Sequence, residues 1–365
     1  MTNAAAPATP VSPFGPFVPP DLDLADAARI EPLYRALLDR PLQAPAAVEA
    51  WLADASELTA AVDEYGSRRY IDKSCHTDDP AVERAYLHFV EHVEPALKPL
   101  AFELQKRFLS LAAREPLAAA DRRYAMLERK WRAEVDLFRP ENVPLETELA
   151  KLTNEYDKIT GDQMVAFRGA EYTPQQIARF YEDPDRPTRE AAWRAATDRR
   201  LADADRVEAI FDAQLPLRQR VADNAGLRTY RDYAWKANKR FDYTPADCVR
   251  FADAIAGEVV PVVAGLNAAR AADLSVESLR PWDLEVDPQN RPPLRPFDEA
   301  DVDGFVGKTH DIFARLAPDL AADFDQLKAH GNLDLASRRG KQPGGYQCSL
   351  EASRQPFIFM NAAGL

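Results

Sequence analysis

Helical periodicity runs almost unbroken from residue 26 to residue 330 and leaves little room for any other architecture. Beyond Asp79-Pro80, apolar residues fall at Val82, Tyr86, Phe89, Val93, Leu97, Leu100 and Leu104. Steps of three and four put them on one stripe of a long helix. Pro45 opens another helical segment, "AAVEAWLADASELTAAVDEY", and "AAADRRYAMLERKWRAEVDLF" and "ETELAKLTNEYDKITGDQ" follow. Thr173-Pro174 and Thr244-Pro245 each offer a Thr cap with Pro at the first helical position. Pro261 sits inside the apolar segment "GEVVPVVAGLNAARAADL" and is expected to bend it. Three stretches break the pattern. Residues 164–167 are short and β-like, residues 280–297 carry five prolines and read as extended, and the texture changes after Gly331. There, Phe357-Ile358-Phe359-Met360, between Pro356 and Asn361, fits a short strand. The expected fold is mainly α, with a small β element near the C-terminus.

Composition narrows the function classes. The chain has 365 residues, is 46% hydrophobic and carries a net charge of −13. It can bury a large core, and its acidity argues against nucleic acid as a partner. No apolar run approaches the roughly 20 residues of a membrane span. Residues 1–25 read as a disordered Pro/Ala-rich tail with no secretory pattern. Cys75, Cys248 and Cys348 are widely spaced and read as free thiols, so the expected location is cytoplasmic.

Two histidines raise a metal question. "LHFVEHVEP" contains His88-x-x-Glu91-His92, a spacing that puts two imidazoles on one helical face with a carboxylate beside them. That face flanks the packed stripe, Pro95 lies four residues after Glu91, and nothing singles out a third ligand. The motif reads as two partly exposed histidines, with no metal residues assigned.

The C-terminal 35 residues are more specific. "DLASRRGKQPGGYQCS" followed by "QPFIFMNAAGL" closely resembles the oligoendopeptidase F branch of the thimet-oligopeptidase-like zinc metallopeptidases. The matching residues are Asp334, Leu335, Arg338, Gly340, Lys341, Gly344, Gly345 and Tyr346, then Pro356 to Asn361. Upstream, "VAFRGAEYTPQQIARFYEDPDRPTREAAWRA", "YRDYAWKANKRFDYTP" and "LRPWDLEVDP" match in the same order.

The resemblance implies a large helical, clam-shell-like body whose deep channel admits short peptides. It divides the body into N-terminal helices at 26–160 and a peptidase-domain scaffold at 161–330, with a β element of the substrate cleft at 331–365. The family's zinc is held by an HExxH helix and a later glutamate. The only histidines here are His76, His88, His92, His310 and His330, so no HExxH is present and no catalytic residue is assigned. The chain therefore reads as the N-terminal portion of a zinc-dependent oligopeptide endopeptidase, cut short before its zinc helix and inactive by itself. Zinc is the cofactor expected of the complete enzyme, with none on this chain alone. Short peptides are the expected partners, together with a second chain carrying the HExxH segment if the enzyme is split. By the same resemblance Gly344, Gly345, Tyr346, Ile358, Phe359, Met360 and Asn361 are the candidate substrate-binding residues, with backbone groups of Ile358, Phe359 and Met360 pairing with the peptide. Phe357 to Met360 would then lack a covering helix. The alternative is a noncatalytic helical peptide-binding or scaffold protein.

Overall fold

The computed structural model describes residues 17–42, 44–297 and 301–363. Its spine is the helix Pro45–Cys75, 31 residues long and about 46 Å from end to end. The N-terminal part of the spine buries Val48, Trp51, Leu52 and Leu58 against helices Ala27–Asp39, Glu94–Ser110, Arg114–Ala120 and Arg122–Leu137. Trp51 is fully buried, and its indole N–H donates to Leu37 O at 2.9 Å. Arg107 donates to the carbonyls of Leu37, Leu38 and Arg40. These close the first helix and have no intrahelical donor, so the guanidinium acts as its cap.

Residues 17–25 are anchored, which corrects the expectation of a disordered tail reaching residue 25. Phe17 and Val18 donate their N–H groups to the buried carboxylate of Glu57. Phe17, Val18, Leu22 and Leu24 lie against the core. Residues 1–16 lie outside the described residues.

The stripe from Val82 to Leu104 forms one long helical run, but with a change of phase. Pro80–His88 and Glu94–Ser110 are α-helical, and Phe89–Val93 between them is a π-turn. Glu94 N–H reaches back to Phe89 O. Pro95 has no N–H to give and its ring crowds the carbonyl four residues back, so the wider turn relieves the conflict. One consequence is that Val90 is buried with Val93, while Phe89 is half-buried against the core with its ring over Gly66.

Helix Asn142–Gly161 joins the spine through Lys73 and Asp157, a buried pair at 2.5 Å. Helix Arg186–Leu201 packs on a β-hairpin, β1 (Val165–Phe167) and β2 (Ala170–Tyr172). It also clasps the proline-rich segment. Asp283 is fully buried and accepts from Arg186, Arg189 and the backbone N–H of Arg280. The Arg186 hydrogen bonds, ahead of the cost of burial, hold its carboxyl down at about 2.

The helical run Pro245–Asp273 repeats the proline device. A π-turn at Ile255–Val259 ends two residues before Pro261. None of its residues is buried, and Val249, Phe251, Val262 and Leu266 are among its exposed apolar side chains. After helices Val302–Leu316 and Pro318–Ala329 comes a three-stranded sheet. It comprises β3 (Leu333–Ala336), β4 (Tyr346–Leu350) and β5 (Gln355–Ala362) in the order β3-β5-β4. β5 is central, parallel to β3 and antiparallel to β4.

Candidate functional site

The string from Asp334 to Tyr346 is a latch between the sheet and the helices. Asp334 receives two hydrogen bonds from Arg338, both at 2.7 Å, and one from Lys341 at 2.9 Å. The Lys341 ammonium is fully buried and also donates to the carbonyls of Asp334, Ala336 and Met360. Burial alone would raise the Asp334 carboxyl, but the bonds from Arg338, Cys75 and Lys341 hold it well below the usual carboxylate range. Arg338 reaches on to Cys75 O at the end of the spine. Gly340, at φ 72°, bridges Thr77 and Gly161 through its backbone. Burial pushes the Cys75 thiol up to about 12, so it stays protonated at neutral pH.

Most of the residues expected to meet substrate are held inside this assembly. Tyr346 points inward, with its hydroxyl 2.5 Å from Ser74 Oγ and its ring stacked 4.6 Å from that of Phe359. Phe359 is itself 1% exposed. Gly344 adopts φ 97°, a turn conformation that favours glycine. Gly345 allows a close approach, but to β5: a Cβ there would lie 3.3 Å from Phe359 O. Asn361 closes the same turn by donating to Gln342 O and Gly344 O. The β5 backbone is in use on both sides. Ile358 N–H donates to Asn332 O, Phe359 pairs with Tyr346, and Met360 O accepts from Lys341. Pairing of a peptide with Ile358, Phe359 and Met360 is therefore corrected, because a central strand has no edge to offer. Nor is the strand bare. Phe357 and Phe359 are buried against Ile71 and Cys75, and Ile358 and Met360 line an apolar groove with Phe305, Phe313 and Phe324.

The open edge belongs to β4. Because Ile358 N–H serves β3, the neighbouring Phe357 and Phe359 serve β4, and their partners Cys348 and Tyr346 turn their backbone groups inward. The intervening Gln347 and Ser349 then turn their N–H and C=O groups outward. Ser349 stands opposite Pro356, which has no N–H to exchange. The sequence carries a sign of this strand: Tyr346, Cys348 and Leu350 alternate with polar Gln347 and Ser349, the period of a strand buried on one face.

That edge borders a cleft of about 990 Å³. The spine, helix Glu94–Ser110, helix Arg122–Leu137 and Phe89 form its other walls. Leu97, Leu104, Leu127 and Trp131 supply apolar surface. Asp63, Glu94, Glu134 and Glu351 supply negative charge, and Lys98 supplies positive charge. Lys98 is held by Glu94 and Glu146, and Glu134 is held by Lys239 and Gln105. Asp63 and Glu351 form no ion pair among the described residues. Partial desolvation between the cleft walls, then the charges of Glu351, Glu94 and Glu134, push the Asp63 carboxyl up to about 6.

His88 and His92 do not form a metal centre with a third donor. Their rings lie 5.2 Å apart, and His88 Nε2 is 2.9 Å from Ala25 O. Glu91 is paired with Lys151. Among the described residues no three His, Cys, Asp or Glu side chains come together in a set that could hold a metal ion. The described residues therefore furnish no ligand set for the zinc that the resemblance implies. No described helix is long and apolar enough to cross a membrane.

Comparison with known proteins agrees with the fold. Residues 179–302 match the sequence profile of peptidase family M3. A structure of PZ peptidase A with an inhibitor superposes with a TM-score of 0.86 at 22% identity, over 93% of this chain and 60% of that one. A protein classed as oligoendopeptidase F gives 0.86 at 23% identity over 93% and 59%. A protein so classed from Bacillus anthracis str. Ames gives 0.85 at 20% identity over 92% and 61%. This chain thus spans about 60% of the length of the solved structures it matches. No curated protein matches the sequence. The resemblance read from the sequence agrees with the family M3 match across 179–302, and the expected mainly helical fold is borne out.

Proposed function

We propose that this chain forms the peptide-binding part of an oligopeptide-cleaving metallopeptidase. The observation that carries the reading is the outward edge of β4 along a cleft, in a fold shared with oligoendopeptidase F. An extended peptide added beside β4 would exchange backbone hydrogen bonds with Gln347 and Ser349, and its side chains would alternate between the cleft and the opposite face. Zinc is the cofactor of the complete enzyme in this reading. Since the described residues furnish no ligand set for it, no hydrolytic step is assigned to them, and binding is the activity they support. A cleaving form needs a zinc-bearing HExxH segment, in the same polypeptide or a second one.

A proline at position 349 tests this directly. Ser349 N–H faces away from β5, so Ser349→Pro removes a donor from the outer edge without breaking the existing sheet. Titration calorimetry with a blocked hexapeptide should show binding to the parent chain, weakened about tenfold or more in the variant. An unchanged melting temperature would verify that the variant is folded. Equal affinity in the two proteins would overturn the assignment to β4.

A further inference from the structure

The open edge of β4 and the unneutralised charge of the cleft occupy the same place, and together they specify more than a backbone. Lys98, the one cation of the cleft wall among the described residues, already has two carboxylate partners. Glu134 is likewise paired. That leaves Asp63 on the spine and Glu351, one residue beyond β4, without a counter-charge among the described residues. The two carboxylates line the same cleft, and after desolvation the charge of Glu351 does most to raise the Asp63 carboxyl. A metal ion is a poor candidate for relieving them, because no three donors converge among the described residues. A charge on a long apolar stem suits the site better. Leu97, Leu104 and Trp131 on the opposite wall can cover methylene groups while the charged head stays in the open, solvated part of the cleft.

We infer that the peptide taken up at the β4 edge is one that carries an arginine or lysine side chain, lodged in the cleft beside Asp63 and Glu351. This rests on the peptide-cleft reading and adds a specificity to it. The backbone would be read by Gln347 and Ser349 without regard to sequence, and the cationic side chain would be read by charge.

The test separates the two layers. Blocked hexapeptides of alanine and serine, with one arginine scanned through the four central positions, are titrated beside matched peptides carrying uncharged citrulline. The proteins are the parent chain, the double variant Asp63→Asn with Glu351→Gln, and Ser349→Pro. At low salt the parent should prefer arginine over citrulline by about tenfold at one position, and added salt should shrink that preference. The double variant should bind both peptides with the citrulline affinity, while Ser349→Pro should weaken both peptides equally. Equal affinity for the two peptides in the parent chain would overturn the charge inference and leave the β4 reading standing. An arginine preference that survives in the double variant would overturn the assignment to Asp63 and Glu351. If neither peptide binds, the peptide-cleft reading falls and the charge inference falls with it.

Discussion

Lys341 shows what the C-terminal motif does. Its ammonium has no exposed surface, four oxygen acceptors surround it, and the ring of Phe359 lies 4.4 Å away. Burial pushes its titration down, and Asp334 works in the other direction. Removing the Asp334 charge leaves that lysine without its anion, so Asp334→Asn should destabilise the chain by about 3 kcal/mol at pH 7. The pH dependence has a definite sign. The folded Asp334 carboxyl is held below its ordinary value of 3.8, so its contribution is present above about pH 4 and is lost as pH falls through the lower folded value. Denaturant melts of the parent and variant should therefore converge on acidification, and a constant gap from pH 7 to pH 2 would refute this account of the latch. The string was legible as a resemblance, and the structure adds the internal contacts that its residues make. Paired glycines and an aromatic are compatible with a substrate site and with a tight internal turn, and only the contacts of Tyr346 with Ser74 and Phe359 separate the two.

Among the elements, the helices were the most legible. The stripe from Val82 to Leu104 and the Thr244 capping box are both local signals, and the structure keeps them, with Asp247 completing the box. The phase change at Phe89–Val93 was not legible, because Pro95 announces a disturbance without saying whether the chain kinks or widens. The same holds at Pro261. Strand order was also out of reach. The run Phe357 to Met360 was recognisable as a strand, but its central position depends on β3 and β4 closing around it, which no local pattern encodes. Burial sets an order of local stability among the helices. The spine is anchored by two cores, whereas the run Pro245–Asp273 has no buried residue. Amide hydrogen exchange should accordingly be slowest in the middle of Pro45–Cys75 and faster by at least about tenfold in Pro245–Asp273. Equal protection in the two would contradict the burial pattern.

For the whole molecule, the long spine brings together parts that are far apart in sequence. It presents Asp63 and Gly66 to the cleft and ends beneath the sheet, so the β4 edge and the cleft walls are set by one rigid element. The mainly helical class of the fold could be read from the periodicity, and its likeness to solved oligoendopeptidase F structures from the order of the motifs. The cleft could not, because its walls come from residues 34 to 134 and its floor from residues 347 to 351. In the reading proposed above, an extended peptide adds to β4 as a fourth strand. The most direct measurement is residue-resolved amide exchange across 343–351 with and without a saturating blocked hexapeptide that carries one arginine. Selective slowing at Gln347 and Ser349, with Tyr346 and Cys348 little changed because they already pair with β5, is the predicted result. Unchanged exchange at Gln347 and Ser349 in the presence of bound peptide would contradict it.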